Sequence, residues 1–184
     1  MVVSKHEAAQ ALQDIDTAQQ RTHTMLRYRS AAPYFLLWGG IWLVANCITE
    51  FNPAYGGKTW RALALIGTIL SLGWAFRQSR QHGANRYGWR FGAAWLVILG
   101  YFAANFALLP HMDAKLGNAY ISLFWGFMYC LLGIWTGWRV LTVGLLIAAS
   151  ILVGYFVLTA HYFLWMGLVT GSLLILGGFW LRKV

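Results

Sequence analysis

The chain has 184 residues, of which 59% are hydrophobic and 10% charged, with a formal net charge of +9. Water-soluble domains carry about a quarter charged residues, so this composition excludes an ordinary soluble globule and points to stretches near the roughly 20 apolar residues that a spanning helix needs. A basic excess often marks a nucleic-acid partner, but membrane topology accounts for it here and none is expected.

The first segment, Ser4–Ala32, is polar and reads as a helix. Ser4 and Glu7 have capping-box spacing. Ala8, Leu12, Ile15, Thr22 and Leu26 recur on one side as a narrow apolar stripe, with Gln10, Gln13, Asp14 and Arg21 opposite. A stripe of small side chains suits a protein partner in the cytoplasm, or a local fold-back, better than lipid, which favours bulky Trp, Phe and Leu. Pro33 lacks an N–H and is expected to stop or kink the helix where it meets the membrane. The polar start has no apolar core of the kind a cleaved secretory signal carries, so no cleavage is expected.

Six apolar spans follow, at about residues 31–49, 62–76, 91–109, 119–138, 140–160 and 162–181. None contains an ionised side chain. Arg61 and Arg77 flank the second and shortest span, where their stems can run along the helix ends. The link at Arg139 is so short that the fourth and fifth helices must be antiparallel neighbours. The expected fold is all-α: an integral membrane bundle of six transmembrane helices (33–184) preceded by an amphipathic cytoplasmic helix (1–32).

Charge location sets the expected orientation. With both termini inside, eleven of the fourteen Lys and Arg residues face the cytoplasm, among them Arg27, Arg77, Arg139 and Arg182, and only Lys58, Arg61 and Lys115 face out. The expected location is therefore the cell (inner) membrane, multi-pass, with the lipid bilayer as solvent. Gly133–Gly137 and Gly167–Gly171 are small-xxx-small pairs that suit close helix packing within the bundle or in a homo-oligomer. Cys47 and Cys130 lie within spans without CxxC spacing and read as packing residues.

Polar side chains inside spans draw attention because an unpaired amide in hydrocarbon costs several kcal/mol. Asn46 and Glu50 lie one turn apart on the first span, beside Trp42, and Tyr101 and Asn105 lie on the third. With His111, Asp113 and His161 they form an expected outward-facing polar group. Trp42, Asn46, Glu50, Tyr101, Asn105 and His161 are the candidate ligand or solute path; the competing reading makes the asparagines hydrogen-bonded glue between helices. No metal or cofactor is expected. The nearest approach to a ligand set, His111, Asp113 and His161, lacks known spacing, and no HExxH, GxSxG or P-loop occurs, so no catalysis is expected.

Two functions fit these features. One is a sensor or regulatory subunit that couples the outer polar group to a soluble partner through the N-terminal helix. The other is a small channel or facilitator for a neutral polar solute, lined by uncharged amides and aromatics.

Overall fold

A computed structural model describes residues 5–81, 88–109 and 112–183. Among these residues the chain is helical without strands, in six long helices: α1 (Lys5–Phe51), α2 (Pro53–Gln81), α3 (Gly88–Leu108), α4 (Ala114–Thr136), α5 (Trp138–Phe156) and α6 (Tyr162–Arg182). Five of them, all but α3, are long and apolar enough to cross a membrane. In α3 the described apolar stretch is shorter, Leu96–Asn105.

Local chemistry explains several of the helix ends. Asn52 separates α1 from α2, and Pro53 takes the first position of α2, where its missing N–H costs nothing and its fixed φ suits the helix. Asp113 caps α4 by accepting from the Leu116 N–H. Gly137 breaks α4 from α5 with φ 132° and ψ 161°, a conformation essentially reserved for glycine. A Cβ there would also sit 2.0 Å from the Tyr28 hydroxyl. The break therefore falls at Gly137, two residues before the expected link at Arg139.

Two further expectations are corrected. Of the stop or kink expected at Pro33, the stop does not occur: α1 runs as one helix over 47 residues with Pro33 inside it. Proline removes one backbone donor, and here the surrounding packing, with Ala32 and Phe35 both buried, holds the helix across it. The second helix does not begin at Ala62, because the segment from Pro53 to Arg61, which lies between the first two expected spans, already forms its first turns.

Helix α1 is the central element and packs against α2 and α6, and more lightly against α4. The α4–α5 hairpin closes the other side of α6. Glycines make the closest approaches: a Cβ on Gly144 would meet the Cys130 backbone nitrogen at 2.6 Å, and one on Gly171 the Leu43 nitrogen at 3.0 Å. Close backbone approach of this sort lets the paired helices gain van der Waals contact along their length. Within α6 the residues Met166–Gly171 form a π turn. There the buried Thr170 and Ser150 hydroxyls share a hydrogen bond of 2.7 Å between α6 and α5.

The outward surfaces are apolar. Leu65, Ile69, Val97, Phe127, Ile134, Leu145, Leu176 and Phe179, spread over α2 to α6, are all exposed. Among the described residues the charged groups of the bundle collect at its two ends. Arg27, Arg139 and Arg182 are at the end where α4 passes into α5, and Glu50, Asp113, Lys115 and His161 are at the opposite end.

Candidate functional site

At the Glu50 end, α1, α4 and α6 share a chain of hydrogen bonds. The Asn46 side chain is fully buried; its Nδ2 donates to the Trp42 carbonyl one turn back, at 2.9 Å. Its Oδ1 accepts from Asn118 Nδ2 on α4 at 3.1 Å, and Asn118 Oδ1 in turn accepts from the Tyr162 hydroxyl on α6, also at 3.1 Å. Each amide oxygen thus has a donor, which is the condition for burying such groups. Trp42 is 4% exposed and forms part of the core beside this chain.

One turn beyond Asn46, Glu50 ties the end of α1 to the start of α6. Its Oε1 lies 3.0 Å from His161 Nδ1, and its Oε2 accepts from the Leu164 backbone N–H at 3.2 Å. Leu164 belongs to the first turn of α6, whose N–H groups have no partner inside the helix, and a carboxylate there also meets the positive end of the helix dipole. Glu50 therefore acts as a cap supplied by another helix. The His161 side chain is 76% exposed and the Glu50 side chain 15%, so the imidazole is the open half of the pair. Lys115 lies nearby, its Nζ 4.8 Å from the Tyr155 ring centre and 5.5 Å from that of Tyr162.

Asn105 and Tyr101 form a separate cluster. Asn105 Nδ2 donates to the Tyr101 carbonyl at 2.8 Å, and its Oδ1 accepts from the Tyr120 hydroxyl at 2.9 Å. The Tyr101 and Tyr120 hydroxyls are also hydrogen-bonded to one another, and the Tyr101 ring stacks on Phe124. Tyr120 and Asn118 are two residues apart on α4, about 200° around the helix, so α4 stands between the two clusters. The single group expected from the sequence is therefore two: Trp42, Asn46, Glu50 and His161 come together, and Tyr101 and Asn105 do not join them.

Sequence reasoning missed Asn118, Tyr120 and Tyr162 as members. Asn118 fell one residue outside the expected fourth span, and a tyrosine at a span end reads as an interface anchor. Asp113 is occupied as a helix cap. His111 lies outside the described residues, as does the side chain of Ala8. Among the described residues no group of three His, Cys, Asp or Glu side chains is placed to hold a metal ion. On the N-terminal stripe Leu12, Ile15 and Leu26 are exposed, and the exposed Thr22 hydroxyl donates back to the Ala18 carbonyl. Comparison with protein-family models, with curated proteins and with solved structures finds no match.

Proposed function

We propose that this chain is a multi-pass protein of the cell (inner) membrane, with both termini in the cytoplasm, that acts as a sensor or regulatory subunit. It receives its signal at the Asn46, Glu50 and His161 end and passes it to a soluble partner at the stripe of Leu12, Ile15, Thr22 and Leu26. The observation that carries this reading is the continuity of α1. One helix of 47 residues bears the exposed stripe near one end and the buried Asn46 and capping Glu50 near the other. At 1.5 Å per residue, Leu12 and Asn46 are about 50 Å apart along the one helix. A tilt or rotation imposed at Glu50 is carried towards Leu12 through continuous helix, with Pro33 lying between them.

The exposed apolar belt supports the membrane part of the reading, and the gathering of arginines at the Arg139 end supports the orientation. The alternative, a channel for a neutral solute, draws less support. Trp42 and Asn46 are buried, and the oxygens of Asn46 and Asn118 are committed to neighbouring helices.

The test combines two measurements. The partner is recovered with the full-length chain from native membranes, and its association is compared with that of a Leu12→Glu/Ile15→Glu variant and of Glu50→Ala. The proposal expects the stripe variant to lose the partner with the bundle intact, and Glu50→Ala to alter the affinity from the far end. Liposomes containing the purified chain are expected to stay impermeable to urea and glycerol. Flux through them, with an unchanged partner profile, would replace this reading by the channel.

A further inference from the structure

On the outward side of α5 and α6 lies a groove of about 420 Å³ lined by Thr142, Val143, Leu146, Leu173, Leu176, Gly177 and Trp180. Its walls are almost wholly apolar, since the Thr142 hydroxyl is turned onto the Trp138 carbonyl at 2.9 Å. Leu146 and Leu176 are exposed along its edge. From Leu173 to Trp180 it follows about 10 Å of helix.

One end of this groove is cationic. The Arg139 side chain donates through Nη1 to the Trp180 carbonyl at 3.1 Å. Its guanidinium carbon lies 5.3 Å from the Trp180 ring centre and 5.9 Å from that of Trp138, and the two indoles meet edge to face at 5.1 Å. Among the described residues no carboxylate pairs with Arg139. The guanidinium, which also lies 5.8 Å from the Tyr28 ring centre, thus sits against Trp180 where that residue lines the groove, at the end of the bundle that also carries Arg27 and Arg182. A planar guanidinium fork presents donors in the geometry that phosphate oxygens accept in pairs.

We propose that the α5–α6 groove and Arg139 together form a binding site for one anionic phospholipid, with an acyl chain along Leu146, Leu173 and Leu176 and the phosphate at Arg139. Charge complementarity selects this occupant, because a zwitterionic lipid fills the same groove but brings no net negative charge to the arginine. Trp138 and Trp180 suit the same depth, since indoles settle where acyl chains meet headgroups. The inference rests on the bilayer reading above.

The experiment is native mass spectrometry of the detergent-purified full chain, titrated with phosphatidylglycerol or with phosphatidylcholine of identical acyl chains. Wild-type chain is expected to bind the first lipid about fivefold more tightly, the scale of one cation at a membrane surface. Arg139→Gln is expected to abolish that preference and Arg139→Lys to keep most of it. Leu146→Trp, at an exposed position, is expected to weaken both lipids by filling the groove. Near-UV circular dichroism checks that each variant is folded. A preference unchanged in Arg139→Gln, or affinities unchanged in Leu146→Trp, overturns the site. Displacement of the lipid by equimolar inorganic phosphate overturns the lipid as occupant. Equal binding of both lipids by wild type removes the headgroup site but leaves the bilayer reading standing, whereas a chain that stays soluble without detergent removes both.

Discussion

Asn118 donates its amide to the Asn46 carbonyl oxygen across 3.1 Å, joining α4 to α1 at a point where Asn46 has no exposed surface. Removing one partner strands the other. Asn46→Leu is expected to lower stability in detergent by about 1 kcal/mol, because interhelical hydrogen bonds in membrane proteins are modest even when buried. The measurement is thermal unfolding followed by tryptophan fluorescence, with Asn118→Ala alone and in combination. A coupling free energy near zero between the two positions would remove the bond from the set that holds the bundle.

Asn105 offers the contrasting case. Replacing it by leucine leaves the Tyr120 hydroxyl still bonded to Tyr101. Asn105→Leu is therefore expected to cost less than Asn46→Leu in the same assay, or to stabilise the chain. A larger loss at Asn105 would mean that α3 depends on the amide more than on its ring contacts.

Glu50 performs two tasks that substitution separates. Glu50→Gln removes the charge facing His161 but keeps an oxygen for the Leu164 N–H, and a contact with so exposed an imidazole contributes about 0–1 kcal/mol. Glu50→Ala removes the cap as well and is expected to cost about 1 kcal/mol more, the usual scale for a lost helix cap. The order of melting temperatures, wild type, then glutamine, then alanine, is the check. Raised salt should narrow the first gap and leave the second.

Glycine positions divide by what surrounds them. At Gly144 an added methyl meets the Cys130 backbone at 2.6 Å, so Gly144→Ala is expected to push α4 from α5 and destabilise the hairpin. Gly73 has nothing within 4 Å of that methyl and lies in the regular part of α2, so Gly73→Ala is expected to stabilise by about 0.5–1 kcal/mol. Gly137→Ala is expected to cost about 1–3 kcal/mol from backbone strain alone. Adding Tyr28→Ala relieves the clash but not that strain, so rescue should be partial.

The helical class and the rough positions of the long apolar helices were legible because unbroken apolar runs leave the chain little alternative to helices. Helix ends were less so. Pro33 carries a local stop signal, yet the packing of Ala32 and Phe35 carries α1 through it. The break after Thr136 depends on a positive φ at Gly137, which no hydropathy pattern encodes. Asn46, Glu50 and His161 were placed at one end by counting turns. The separation of Asn105 from them was not visible, because it depends on which side of α4 each neighbouring helix takes. Asn118 was passed over for a similar reason: an amide at the edge of an apolar run looks solvated until its partners are known.

The π turn at Met166–Gly171 gives α6 one residue more than a regular helix would hold there. Above it the backbone is clasped by Glu50, and below it by Arg139 through the Trp180 carbonyl. One residue is about 100° of regular helix, so the surplus residue sets how the Trp180 carbonyl is rotated relative to the Leu164 N–H. Deleting one residue of that turn would rotate the two ends of α6 against each other by about the same angle, so this short stretch fixes how the helix meets Glu50 and Arg139 together.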